Sequence, residues 1–147
     1  MSVMQIEQLD PMKLPLVARL YKSFYPSGKA KKDELTLVGY IENQMAAVVR
    51  FRTIEQYRLL TGMLVVPDFR GQGLGHELMC YCLQHVLSEG DYCFAYQHLE
   101  GFYAQHGFKT LDCQELPNSL KGLYDRYTRT KTLVPMMYLE SESSLGM

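Results

Sequence analysis

The chain has 147 residues, of which 47% are apolar. That is enough for one domain with a substantial core, and it excludes intrinsic disorder and a coiled coil. Fifteen Lys plus Arg against sixteen Asp plus Glu give a formal charge of −1 with no basic stripe, so recognition of nucleic-acid phosphates is not expected. No uncharged apolar run approaches the ~20 residues of a membrane span. Residues 1–10 lack the cationic start and apolar stretch of a secretory leader, so a cytoplasmic protein with no membrane partner is expected. Cys80, Cys82, Cys93 and Cys113 form no CxxC pair, and no histidine lies at zinc-finger spacing from them. They are expected to be reduced, largely buried thiols, with no metal site.

In chain order, residues 4–9 alternate as a first strand. Asp10 then caps a helix with Pro11 at its first position, and Leu16, Val17, Leu20, Tyr21 and Phe24 recur at helical spacing. Pro15 leaves the start of that helix open by one turn. Pro26-Ser27-Gly28 ends it, and a charged loop follows over 29–34. Residues 35–41, 45–53 and 57–66 are three strand-like runs with short polar connections, which predicts antiparallel hairpins. A glycine-rich turn leads into a helix over 73–88, with Gly90 just past its end. A strand over 91–97, a short helix over 99–106 and a strand over 108–113 come next. A helix opened by Pro117-Asn118-Ser119 carries Leu120, Leu123, Tyr124 and Tyr127 on one face, and a strand over 133–139 follows it. Residues 141–147 are expected to be a loose tail after a single domain over 1–140. The order β-α-β-β-β-α-β-α-β-α-β is that of a mixed α/β sheet, not of a doubly wound one.

Arg70-Gly71-Gln72-Gly73-Leu74-Gly75 follows a strand and opens a helix. Unpaired N–H groups and a positive dipole end suit an anion such as pyrophosphate, and glycines let phosphate approach the backbone. The spacing is not GxGxxG, and no Walker Lys-Ser/Thr follows. On spacing alone, a phosphate-binding turn and a tight turn without ligand are equally open. Phe102-Tyr103-Ala104-Gln105-His106-Gly107-Phe108 lies about thirty residues downstream, after the next strand.

Together the two segments resemble the GCN5-related N-acetyltransferase (GNAT) superfamily. Its Q/R-x-x-G-x-G/A signature is matched in full by residues 70–75, and its F-Y-x-x-x-G-F phrase by residues 102–108. Val65-Val66-Pro67-Asp68-Phe69-Arg70 is similar to the family's run out of its fourth strand, and the element order agrees along nearly the whole chain. The resemblance implies a central mixed sheet of about seven strands flanked by about four helices. Antiparallel hairpins come first, and strands four and five are parallel and splayed. It implies acetyl-CoA as acyl donor, held in that opening. Its pyrophosphate would lie on the amides of Gly71, Gln72, Gly73, Leu74, Gly75 and His76, beside Arg70. Its pantetheine arm would pair with the backbone of Leu64, Val65 and Val66. A small-molecule or peptide amine would attack the thioester directly, with no covalent enzyme intermediate.

Two proton movements accompany such an attack. Tyr103 matches the position where many members of the family keep a tyrosine beside the CoA sulfur, where a phenol can hydrogen-bond or protonate the leaving thiolate; a tyrosine that only packs under the short helix is the competing reading. Many relatives carry Glu or His on strand four as base. Here Leu60 and Gly62 occupy those positions, and neither can take a proton. Water, His98, Glu100 or Glu55 are the alternatives. Strand alternation puts Arg58 on the face of Leu60 and Gly62, where it could hold a substrate carboxylate or simply lie exposed. Lys29, Lys31 and Lys32 lie in the loop that shapes acceptor sites in this family, though a solvated loop accounts for them as well, and His106 is read as a favourable helix-end cation. The expected protein is therefore a cytoplasmic, monomeric or homodimeric acetyltransferase. A non-catalytic acyl-CoA- or partner-binding module stays open beside it, as does a nucleotide-binding domain that uses only the glycine turn.

Overall fold

The computed structural model describes residues 3–26 and 28–140; the expected tail at 141–147 lies outside them, as does Ser27. The strands are β1 (Gln5–Gln8), β2 (Leu35–Ile41), β3 (Gln44–Ile54), β4 (Tyr57–Val65), β5 (Tyr92–Tyr96), β6 (Phe108–Thr110) and β7 (Leu133–Tyr138). The helices are α1 (Leu14–Phe24), α2 (Leu74–His85), α3 (Glu100–Gln105) and α4 (Asn118–Tyr127). The strands form one sheet in the order β1-β2-β3-β4-β5-β7-β6. β4 and β5 run parallel and the other neighbours antiparallel, as expected for the mixed fold.

The described residues divide into two compact units, those up to 52 with 60–85, and 53–59 with 86–140. In the first unit, β1 pairs with β2 and β2 with β3, both antiparallel. Glu42 and Asn43 turn the β2–β3 hairpin with both residues at positive φ, the two-residue loop whose twist matches the strands. Asp10 accepts a hydrogen bond from the amide of Met12 and caps a 3-10 turn over Pro11–Lys13; α1 follows. Pro15 falls in the first turn of α1, where a missing N–H costs no helical bond. The α1 face carrying Val17 and Tyr21 packs on Val38, Val48 and Leu64, with Leu9 completing the cluster. Val17, Val38 and Val48 are fully buried, each contributing roughly 1.5–3 kcal/mol relative to exposure. Along β3 the alternate residues Ala47, Val49 and Phe51 are buried as well, so both faces of this strand are covered.

In the second unit, β7 is the middle strand, antiparallel to β5 (Phe94 opposite Pro135) and to β6 (Phe108 opposite Tyr138). Leu120 and Leu123 of α4 pack with Leu59, Tyr92, Leu111 and Leu116. β6 is shorter than the predicted strand over 108–113. Asp112 and Glu115 form a capping box around a 3-10 turn, and its hydrogen bonds divert the chain from the sheet after Leu111. Likewise α3 is preceded by a 3-10 turn over Gln97–Leu99, so the predicted helix over 99–106 is in place but in two pieces.

Candidate functional site

The run from β4 into α2 has the form that its residues predict. After Val65 the chain makes a 3-10 turn over Pro67–Phe69, then the exposed glycine turn, then α2. Gly71 and Gly73 lie at φ +83° and +77°, in the left-handed region that favours glycine. A Cβ at either position would meet nothing within 4 Å, so the turn leaves its backbone open on that side. The carbonyl of Gly73 accepts the amide of Glu77 at 3.0 Å, which is the first helical bond. The helix thus offers no backbone acceptor to the amides of Leu74 and Gly75, and its positive dipole end lies with them. His76 is exposed in the same turn, and Arg70 donates through Nε to the carbonyl of Val65 at 3.0 Å.

The three residues expected to meet a pantetheine arm, Leu64 and Val65 at the end of β4 and Val66 just past it, are not equivalent. Val66 is engaged at both ends: its amide donates to Ala46 of β3 at 2.8 Å, and its carbonyl accepts from Phe69 at 2.8 Å. By alternation Leu64 faces β3 as Val66 does, whereas the N–H and C=O of Val65 point to the other edge. Val65 is therefore the residue of the three that presents main-chain groups away from β3.

Gly62, one of the two strand-four positions where a base would sit, has φ +66° inside the strand. Its carbonyl accepts the Tyr21 hydroxyl at 2.6 Å in a buried hydrogen bond. A Cβ added there would stand 2.7 Å from Tyr21 Oη and 2.8 Å from Arg50 Nε, so the space of a base side chain is already filled. The Arg50 guanidinium lies over the Tyr21 ring, 4.9 Å from its centroid. Arg50 Nη1 donates to Glu34 Oε1 at 2.7 Å and to the carbonyl of Lys29, and the amide of Lys31 donates to the same Glu34 oxygen at 3.0 Å. Both side chains of this ion pair are almost wholly buried, 6% and 3% exposed. Burial pushes the Tyr21 hydroxyl up to about 12, against the opposing pull of Arg50, so at neutral pH it remains a proton donor. Sequence reasoning missed this cluster. Its one local signal is an arginine inside the apolar run Val48-Val49-Arg50-Phe51. Lys29, Lys31 and Lys32 have exposed side chains around it.

Arg58 does not face an acceptor channel as a spare cation. Nε and Nη2 grip both oxygens of Asp91 at 3.2 and 2.6 Å, and Nη2 also donates to the carbonyl of Val86 at 2.6 Å. The substrate-carboxylate role read from strand alternation is therefore replaced by a bidentate structural pair.

Of the other candidates, Glu100 accepts a hydrogen bond from the Thr110 hydroxyl. His98 is exposed beside the Tyr96 ring, and Glu55 is exposed in the β3–β4 turn at φ +56°. Tyr103 is 5% exposed on α3, with its ring edge-to-face against Phe102 and Phe108. His106 is buried and donates through Nδ1 to the carbonyl of Phe102 one turn earlier, a helix-end role. The four cysteines are free thiols. Burial pushes the Cys93 thiol up, which removes it as a nucleophile at neutral pH. No helix among the described residues is long and apolar enough to cross a membrane.

Comparison with solved structures places this arrangement in a known fold. N-acetylglutamate synthase from Neisseria gonorrhoeae, complexed with coenzyme A and N-acetyl-glutamate, superposes with a TM-score of 0.76 at 14% identity. The match covers 96% of this chain and 36% of that one, so the chain spans about a third of that enzyme's length. An acyl-CoA N-acyltransferase from Pseudomonas aeruginosa gives 0.67 at 19% identity, over 95% of this chain and 100% of that one. The PaiA N-acetyltransferase from Thermoplasma acidophilum, in complex with coenzyme A, gives 0.60 at 12% identity over 94% and 99%. At such identities the likeness speaks for the fold. A search of curated proteins finds no match. The sequence model described as an acetyltransferase (GNAT) domain matches residues 32–110, which include all of β2 to β6 and the glycine turn. With more than half of its residues inside that match, the chain belongs to the GNAT acetyltransferase domain family.

Proposed function

We propose that the protein is an N-acetyltransferase that moves the acetyl group of acetyl-CoA to a primary amine within a ternary complex. The observation that carries this reading is the open, left-handed Gly71–Gly73 turn set at the start of α2. In this reading the pyrophosphate lies on the amides of Gly71, Gln72, Gly73, Leu74, Gly75 and His76, with Arg70 alongside. The pantetheine arm pairs as an added strand with the β4 edge that Val65 presents, flanked by Leu64 and Val66. The acceptor is a small-molecule or peptide amine, and the four free thiols suit a reducing, cytoplasmic setting.

The substrate ammonium first gives a proton to water, since Leu60 and Gly62 supply no base. Its nitrogen then bonds to the thioester carbonyl carbon. The nitrogen, now cationic, loses its second proton to water, and collapse of the tetrahedral intermediate breaks the C–S bond and leaves a thiolate. Tyr103, assigned by its place in the 102–108 motif, hydrogen-bonds that thiolate, or passes it the phenolic proton and recovers one from the water that took the amine's. A phenol near pKa ~10 and a thiol near ~8.5 make the transfer only modestly uphill.

A second reading, a non-catalytic acyl-CoA-binding module, is favoured by one observation: Tyr21 and Arg50 fill the space at Gly62 where a base would stand. Calorimetry with acetyl-CoA, followed by release of free CoA across amino acids, polyamines, aminoglycosides and peptide amines, separates the two. Binding with turnover supports the enzyme. Binding without turnover on any amine selects the module, and absence of binding overturns both.

A further inference from the structure

We infer that Tyr21 is a positioning residue for the acyl donor: its hydroxyl, held by the buried Arg50–Glu34 pair, fixes the left-handed kink at Gly62 and thereby aims the main chain of residues 63–66. The inference rests on the reading that this strand edge takes the pantetheine arm.

Three segments converge on the one peptide at Gly62. α1 supplies the Tyr21 hydroxyl, 2.6 Å from the Gly62 carbonyl. β3 supplies the Arg50 guanidinium, stacked over the Tyr21 ring. The 29–34 loop supplies the Glu34 carboxylate and the Lys29 carbonyl that hold Arg50 in place. A strand residue at φ +66° turns the pleat, so the residue after it enters the sheet in a direction set by whatever holds the kink. Gly62 lies only two residues before Leu64 and three before Val65. A hydroxyl with its pKa pushed up to about 12 donates to that carbonyl throughout the neutral range, which makes the anchor independent of pH there. The buried charge pair has a matching role. Arg50 and Glu34 neutralise each other where both side chains are almost wholly buried, and removing either partner leaves the other buried without its counter-charge.

The anchor acts on the pantetheine part of the ligand and not on the glycine turn, and two probes distinguish these parts. Acetyl-CoA spans both; adenosine 3′-phosphate 5′-diphosphate carries the nucleotide and pyrophosphate but no pantetheine. Calorimetry on wild type and Tyr21→Phe is expected to show acetyl-CoA weakened at least fivefold, with the nucleotide held within twofold of wild type. A loss of general structure would weaken both alike. If Tyr21→Phe does not fold, Glu34→Gln, which keeps side-chain shape and loosens Arg50, is read in the same way and is expected to give the same selective loss. Equal loss of both ligands, or no loss of either, in the folded variant overturns the positioning role while leaving the acyl-CoA reading intact. Wild-type protein that binds neither probe overturns that reading and this inference together.

Discussion

Replacing Gly62 with alanine adds one carbon where the chain has no room for it. The new Cβ would lie 2.7 Å from Tyr21 Oη, 2.8 Å from Arg50 Nε and 3.0 Å from Arg50 Nη2. These atoms cannot swing aside freely, because the hydroxyl is bonded to the Gly62 carbonyl and the guanidinium to Glu34. Two costs add. An L-residue held in the left-handed region loses about 1–2 kcal/mol, and overpacking a filled interior costs typically about 1–3 kcal/mol. The expected loss is therefore about 2–5 kcal/mol, a large share of the roughly 5–15 kcal/mol that holds a domain together. An unfolding entropy of about 2.1 cal/mol/K per residue makes 1 kcal/mol worth roughly 3 °C in a chain of this length. Thermal melts followed by circular dichroism should then place Gly62→Ala roughly 6–16 °C below wild type. Gly122→Ala is the control: it sits exposed within α4 with nothing within 4 Å of its Cβ, and alanine there should stabilise by roughly 0.5–1 kcal/mol. A Gly62→Ala melt within 2 °C of wild type, by order of magnitude less than 1 kcal/mol, would refute the crowding at this position.

Four further outcomes are expected. Gly73→Val puts a branched side chain at φ +77° on the open turn, and calorimetry should find acetyl-CoA at least ~tenfold weaker, about 1.4 kcal/mol; unchanged affinity in a folded variant removes the pyrophosphate site. Tyr103→Phe keeps the ring contacts with Phe102 and Phe108, so its melting temperature should hold while kcat falls at least ~tenfold; wild-type turnover would reduce Tyr103 to packing. If water takes the amine proton, the rate at saturating acetyl-CoA should climb with pH towards the amine's own pKa. A plateau from about pH 6–7 that disappears in His98→Ala or Glu100→Gln would identify a side-chain base instead. Finally, the buried Tyr21 hydroxyl keeps its proton to about pH 12 when folded but only to about 10 when unfolded. Above pH 10 the unfolded chain therefore binds fewer protons and stability falls, so urea midpoints should drop between pH 10 and 12 and drop less in Tyr21→Phe. An identical alkaline slope in the variant contradicts the burial argument.

The parts of the fold legible in the sequence are those whose signals are local. Alternation along residues 35–65 and glycines between a strand and a helix each fix structure within a few positions and are found where they were expected, and Asp10 before Pro11 caps a 3-10 turn ahead of the expected helix. The capping box that cuts β6 short was equally local: Asp112 and Glu115 stand at the required spacing, but the apolar run before them reads as a longer strand. The Tyr21–Arg50–Glu34 cluster is different in kind. Its members are 13 to 29 positions apart, on a helix, a strand and a loop, and no periodicity joins them. Arg58 failed for a related reason. Alternation gives the face of a strand residue but not its partner, and Asp91 is 33 positions away. Val65 and Val66 are identical as letters, and only the fold separates Val66, whose amide and carbonyl bond Ala46 and Phe69, from Val65, whose carbonyl takes the Arg70 side chain.

Asp91 joins more than Arg58. Its carboxylate also accepts the amide of Ser88, its own amide donates to the Ser88 carbonyl, and its carbonyl accepts the amide of Tyr138 at the end of β7. The Tyr138 carbonyl in turn accepts the amide of Gly90. Through its side chain Asp91 ties Arg58 of β4 to the segment after α2, and through its main chain it ties that segment to the end of β7, so the bonds form one circuit. Such a circuit does not loosen bond by bond. Opening it at Tyr138 leaves the Asp91 carbonyl without its donor, and opening it at Arg58 leaves a buried carboxylate without its cation. These shared partners make the corner open as one unit, and they anchor the end of β7, the last strand among the described residues.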